Sequence, residues 1–224
     1  MVEEIFSRPI FNLHVFLECS VARGHQTMIA AMRGRQSGMP DEDYWNTFFN
    51  VELALDELIG KAPILGDLVE FGSGYGTFTF AAAKRIGGIV TALDIDADLV
   101  EFTKSKYLQL DIKNISVELR DFTFVGTGLP DSSQSHAMIY NLLHLEDPVS
   151  LLKEAFRVLQ PGGILSVMHW RSDIDTPRGP SLNIRPKPEQ CTRWLEEAGF
   201  NDPRPIDITA SCPYHFGLQA TRLV

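Results

Sequence analysis

Three glycines at alternate positions, Gly72, Gly74 and Gly76, lie in the stretch Asp67-Leu68-Val69-Glu70-Phe71-Gly72-Ser73-Gly74-Tyr75-Gly76-Thr77. Only glycine takes positive φ cheaply and lets a ligand press against bare backbone. A glycine-rich turn that leads from a strand into a helix exposes N–H groups beside the positive end of the helix dipole, which makes a cradle for part of a nucleotide-like ligand. The dinucleotide fingerprint Gly-x-Gly-x-x-Gly would need glycine at Thr77; here the third glycine comes one residue early. Glu70 precedes the first glycine by two places, and a carboxylate there suits a cationic ligand group and suits a pyrophosphate badly. Downstream, Asp94, followed by Ile95, ends an apolar run, Asp121, followed by Phe122, ends an alternating one, and Asn141 ends another apolar run. Ligands of open α/β sheets bind at the carboxyl ends of strands, where these residues would stand.

The elements that must position them read clearly from Asp41 onward. Asp41 can cap a helix whose apolar residues, Tyr44 to Ile59, recur at helical spacing until Gly60. Residues 67–71 read as a buried strand and Thr77 to Ile86 as a helix closed by Gly87-Gly88. Ile89 to Leu93 is a fully buried parallel strand delivering Asp94, and Asp96 caps the helix Ala97–Lys106. Ile115 to Arg120 alternates apolar and polar residues, as a strand toward a sheet edge does. His136 to Tyr140 is a central strand, and Asp147-Pro148 starts a helix that Pro161 ends before the strand Ile164–Met168. Residues His169 to Pro188 read as a long loop, Glu189 to Ala198 as a helix, and Pro205–Thr209 and His215–Thr221 as closing strands.

The pattern Glu-x-Gly-x-Gly-x-Gly, the acids after the second and third strands, the segment Asn141-Leu142-Leu143-His144-Leu145-Glu146-Asp147-Pro148 and the turn Leu159-Gln160-Pro161-Gly162-Gly163 together resemble the class I S-adenosylmethionine-dependent methyltransferases, over residues 67 to about 199. The resemblance implies a Rossmann-like α/β fold: a seven-stranded, mostly parallel sheet with helices on both faces and the last strand antiparallel beside strand five. It implies S-adenosylmethionine as cofactor, held by Glu70, Gly72, Ser73, Gly74, Tyr75, Gly76, Asp94, Ile95, Asp121, Phe122 and Asn141. In such a site Asp94 would accept from the ribose hydroxyls, Asp121 from the adenine amino group, and Phe122 would cover the ring. Tyr44 and Trp45 are weaker binding candidates, because in many relatives the preceding helix crosses the pocket. The reaction implied is methyl transfer to a small molecule, with no metal. The alternative is a protein that binds the cofactor or its demethylated product without catalysis. A nicotinamide-dependent reductase is opposed by Thr77 and Glu70.

Composition narrows the target. Hydrophobic residues make 44% and charged residues 22% of the 224, as in soluble globular proteins, and the net charge of −9 opposes a phosphate-backbone binder. The Asn/Asp-Pro-Pro-Tyr signature of amino-directed nucleic-acid methyltransferases is absent. Cys19, Cys191 and Cys212 lack metal-ligand spacing and read as reduced thiols; without an apolar run of membrane length or a leader, a cytoplasmic location is expected. Residues 1–60 are expected to be a helical extension or lid on a catalytic domain of residues 61–224. His144 and His169 are near strand ends, where a base would stand, although a structural role suits His144 better, and no catalytic residue is assigned. Arg171, Arg178 and Arg185 are either receivers of an anionic substrate group or solvated cations.

Overall fold

Strands without a polar face must be covered on both sides, and the chain provides helices for both. The computed structural model describes residues 39–223. Its strands are β1 (Asp67–Phe71), β2 (Val90–Asp94), β3 (Ile115–Leu119), β4 (Gln134–Tyr140), β5 (Leu159–Trp170), β6 (Asn201–Ile206) and β7 (His215–Thr221). They form one sheet in the order β3-β2-β1-β4-β5-β7-β6. β1 to β5 are parallel, and β7 runs antiparallel between β5 and β6. This is the seven-stranded sheet that the sequence implied. The chain winds outward from β1 to β3 and then returns to β4, so the strand order reverses between β1 and β4. A crevice opens at the carboxyl ends there.

The helices are α1 (Glu42–Asn46), α2 (Val51–Leu58), α3 (Thr79–Ala83), α4 (Ala97–Gln109), α5 (Phe122–Val125), α6 (Pro148–Val158) and α7 (Pro188–Glu197). Side chains alternate along a strand. Leu68 joins the core formed with α2, α3 and α4, while Val69 and Phe71 join the core formed with α6 and α7. The same alternation sends the Glu70 side chain to the α3 face, where the Thr79 hydroxyl donates to it.

Several boundaries differ from the sequence expectation. The helix expected over Tyr44–Ile59 is two helices, because Asn50 donates its N–H to the Ser211 carbonyl at 2.8 Å and caps α2 through its side chain. That break turns both Phe48 and Phe49 inward against Trp45, Trp170, Phe78 and Tyr214. Asp41 does cap α1, accepting from Tyr44 N–H at 3.0 Å. The helix after the glycine turn is shorter than expected, and α4 runs one turn longer. Asp96 caps α4 as expected. Leu159 is already extended, so α6 ends before Pro161 and the strand begins there. β5 continues to Trp170, a short 3₁₀ turn covers Leu182–Ile184, and the penultimate strand is Asn201–Ile206 rather than Pro205–Thr209. Residues 123–129, longer than an ordinary strand-to-strand return needs, are partly absorbed by α5.

Among the described residues, no helix is long and apolar enough to cross a membrane. Cys191 and Cys212 are buried free thiols whose pKa values burial pushes up to about 12 and about 11; Cys19 lies outside the described residues.

Candidate active site

A cavity of about 400 Å³ opens at the carboxyl ends of β1, β2, β4 and β5. The glycine turn forms its floor. Gly72, Gly74 and Gly76 all have positive φ, at +71°, +54° and +75°. Gly76 N–H closes the turn on the Ser73 carbonyl at 2.9 Å. Of the expected site residues, Glu70, Gly72, Ser73, Gly74, Tyr75, Asp94, Ile95, Asp121, Phe122 and Asn141 all line this cavity. Gly76 does not. A Cβ on it would stand 2.7 Å from the Phe80 ring and 3.0 Å from Thr103, so its glycine is required by packing of the turn against α3 and α4.

Asp94 also holds the glycine turn, which the sequence did not reveal. Its Oδ2 accepts from Gly74 N–H at 2.7 Å and its Oδ1 from Asp96 N–H at 2.9 Å. The carboxylate thus pins the glycine turn to the end of β2, and Asp94 lines the cavity. Burial raises its pKa, while the backbone N–H groups of Asp96, Gly74 and Ile95 oppose the rise. Glu70 is 3% exposed. Burial, with help from nearby Asp94 and against the Thr79 hydroxyl, pushes its pKa up to about 8.

Three buried polar atoms on cavity residues have no protein partner: Ser73 Oγ, Asp121 Oδ2 and Asn141 Oδ1. Gln134 Oε1, His144 Nε2 and both ring nitrogens of His215 are also buried without a partner and lie off this cavity, so it is the gathering of three such atoms on one cavity that sets Ser73, Asp121 and Asn141 apart. Asp121 Oδ1 already accepts from the Thr123 hydroxyl, which fixes the carboxylate and leaves the other oxygen inward. Asn141 is held at φ +61°, with its N–H on the Met168 carbonyl at 2.7 Å. Asparagine takes positive φ more readily than most residues, and Asp111, Ser132 and Asp202 take it away from the cavity. The donor and acceptor set, with the two buried carboxyl groups of Glu70 and Asp94, bare backbone and acids at successive strand ends, fits an adenosyl ligand carrying an ammonium group.

Other lining residues went unrecognised in the sequence. Phe78, Tyr140, Leu142, Leu145, Trp170 and Pro180 complete the walls. Tyr140 and Trp170 end the apolar runs of β4 and β5, and that position was the available signal. Trp45 lines the cavity, whereas Tyr44 is exposed and does not. The segment before β1 crosses the mouth. Met39 lines the cavity, the Tyr75 hydroxyl donates to the Pro40 carbonyl at 2.8 Å, the Thr77 hydroxyl donates to Asn46 Oδ1, and Lys106 pairs with Glu42.

The two candidate bases lie off the cavity. His144 Nδ1 and His169 Nε2 are 3.2 Å apart, and His169 Nδ1 is 3.1 Å from the Trp170 carbonyl. A carbonyl only accepts, so His169 carries its proton on Nδ1 and accepts at Nε2 from His144. Burial lowers the pKa of His144 to about 4 and of His169 to about 3, and both are neutral structural groups at pH 7. The arginines are likewise engaged. Arg171 makes a two-pronged pair with Asp173, and Arg185 donates to the Pro180, Arg171 and Arg178 carbonyls and the Thr176 hydroxyl. Arg185 therefore folds the loop after β5 and lays Pro180 against the cavity. Among the described residues, no cluster of three metal-binding side chains occurs.

Residues 68–163 match the family model described as a methyltransferase domain. The chain is 29% identical over 172 residues to a probable S-adenosylmethionine-dependent methyltransferase of Mycolicibacterium smegmatis, covering 73% of this chain and 62% of that protein. It is 36% identical over 193 residues to the methyltransferase ucsB of an Acremonium species, covering 73% of this chain and 66% of that protein. The chain thus spans slightly less than two thirds of the length of these relatives. The fold is shared with a SAM-dependent methyltransferase of Aquifex aeolicus, with a TM-score of 0.70 at 24% identity over 82% of this chain and 94% of that one. A glycine turn pinned by an acid at the end of β2, a cavity at the strand-order reversal and a seven-stranded sheet with an inserted antiparallel strand agree with these matches: residues 68–163 are a methyltransferase domain, and the sheet has the fold of S-adenosylmethionine-dependent methyltransferases.

Proposed function

We propose that this chain binds S-adenosylmethionine in the cavity and transfers its methyl group to a small-molecule acceptor in the cytoplasm. The observation that carries the reading is the convergence of buried Glu70, the unpartnered atoms of Ser73, Asp121 and Asn141, and the bare turn Gly72–Gly74 on one cavity. When bound, the cofactor supplies a methyl group already activated on a sulfonium. The protein's work is then alignment and exclusion of water rather than activation of a leaving group. Glu70 faces the ammonium of the methionine part, and the backbone of Gly72 to Tyr75 packs along that part. Asp94 accepts from the ribose, Asp121 Oδ2 from the adenine amino group, and Ile95 and Phe122 cover the ring. Asn141 orients the end of the cavity nearest β4.

Residues 39–46, tethered to Tyr75, Thr77 and Lys106, form the part of the N-terminal lid that excludes water from the mouth. Residues 1–38 lie outside the described structure. A small-molecule acceptor is supported by the net charge of −9 and by likeness to a demethylmenaquinone methyltransferase of Listeria monocytogenes, 31% identical over 96 residues and 42% of this chain. The test uses isotope-labelled S-adenosylmethionine offered with a cell extract fractionated into metabolites, protein and nucleic acid. Label in the metabolite fraction is the expected result. Label confined to nucleic acid or protein would contradict the acceptor class. Binding of the demethylated cofactor with no label anywhere would favour a non-catalytic binding protein.

A further inference from the structure

The two edges of the sheet differ. At one edge, β6 carries Pro203 and Pro205, which have no N–H to offer, and its register slips between Asn201 and Arg204. Prolines and bulges of this kind keep a further strand from adding. At the other edge, β3 has neither. Its residues Ile115–Leu119 pair with β2 in unbroken register, and Glu118 is their one charged side chain.

The ladder leaves the same few β3 groups over. Val90 N–H donates to the Asn114 carbonyl at 2.9 Å, and Arg120 N–H donates to the Asp94 carbonyl at 2.7 Å. In a parallel pair, alternate residues turn their backbone groups to the neighbouring strand. Asn114, Ser116, Glu118 and Arg120 therefore face β2, and Ile115, Val117 and Leu119 hold their N–H and carbonyl groups outward.

Exposed apolar side chains gather at this edge. Among the described residues, eight large apolar side chains are more than half exposed, and five of them flank β3. Leu108 and Leu110 stand where the end of α4 leads into the strand; Leu119, Phe124 and Val125 stand where the strand leads into α5.

A second β3, laid antiparallel, satisfies both features. With Val117 on a two-fold axis, each Val117 exchanges N–H and carbonyl with its counterpart, and Ile115 does so with Leu119 of the other copy. On one face Leu119 lies beside the other copy's Ile115. On the opposite face Glu118 stands across from its Ser116, so no like charges are opposed. The entry end of one strand meets the exit end of the other, and the two apolar groups cover each other twice, as an isologous contact requires.

We propose that β3 is an interaction edge and that its partner is a second copy of this chain, joined antiparallel about Val117 into one continuous sheet.

The test follows the full chain by sedimentation velocity from about 1 to 100 µM, with amide exchange measured in parallel. The expected result is a concentration-dependent dimer in which the Ile115, Val117 and Leu119 amides exchange slowly, and a monomer in which they exchange fast. Two copies of net charge −9 repel, so added salt should tighten the dimer. Leu119→Lys should weaken self-association at least about tenfold, because it sets a charge beside the other copy's Ile115. Phe124→Ser should weaken it several-fold. Leu182→Lys, at a similarly exposed leucine beyond β5, should leave it within about twofold. All three side chains are more than half exposed, and circular dichroism verifies that the fold is kept. A monomer throughout the range overturns the proposal, as does a dimer that Leu119→Lys leaves intact. Slow exchange of the three amides in the monomer overturns it too, because another part of the same chain would then cover the edge.

Discussion

Glu70→Gln is the perturbation with the most to say about the site. Glu70 sits on β1 at 3% exposure, accepts a hydrogen bond from Thr79, and has its pKa pushed from 4.5 up to about 8, chiefly by burial. Between those two values the folded chain holds a proton that the unfolded chain has released. Stability therefore falls as pH rises through this window, by ~1.4 kcal/mol per unit, and reaches a deficit of about 3 kcal/mol at pH 7. Glutamine keeps the size and the acceptor for Thr79 and removes the titration. The variant should match the parent near pH 4 and exceed it by about 3 kcal/mol at pH 7 in urea unfolding. The gap should stop growing above pH 8. The same variant should bind S-adenosylmethionine more weakly, because the ligand's ammonium favours ionised Glu70; with the parent, binding at pH 7 should release close to one proton, seen in calorimetry as a dependence on buffer ionisation heat. Equal stability of parent and variant across pH 5–8 would refute the buried-carboxyl argument. Gain of stability with unchanged cofactor affinity would refute its role toward the ammonium.

Asp94→Asn should lose cofactor affinity by roughly 10- to 100-fold and also lower the unfolding midpoint, because one of the two N–H groups it accepts from would face an amide donor; calorimetry with S-adenosylhomocysteine and thermal unfolding read the two effects separately. Gly74→Val should abolish binding, since φ of +54° is costly for a branched residue and its Cβ would stand 3.3 Å from the Met39 methyl at the cavity mouth, and equilibrium dialysis would detect residual affinity. Arg185→Lys should loosen the loop after β5, because an ammonium cannot span the Pro180, Arg171 and Arg178 carbonyls together; amide exchange over residues 171–185 should rise while cofactor affinity stays within about threefold.

The cofactor end of the site was legible because it depends on local chemistry: glycines that must be glycines, and acids that follow apolar runs. Gly72, Gly74, Asp94 and Asp121 announce themselves by type and spacing. The apolar wall of the cavity was not legible for the opposite reason. Tyr140 and Trp170 close strands buried on both faces, so no alternation says which face each side chain takes. The break between α1 and α2 depends on a hydrogen bond from Asn50 to Ser211, far along the chain, and no local periodicity could contain it. The loop after β5 has no period at all and owes its form to one guanidinium. Asp94 shows a subtler gap: its place at the end of β2 could be read, whereas its hold on Gly74 required the turn in three dimensions.

Calorimetric titration of the full chain with S-adenosylmethionine, with S-adenosylhomocysteine and NADH in parallel, tests the central claim most directly. The account expects saturable one-site binding of both adenosyl compounds, none of NADH, and loss of the adenosyl signal in Gly74→Val. Binding of NADH, or no binding of either adenosyl compound by the unaltered chain, would contradict it.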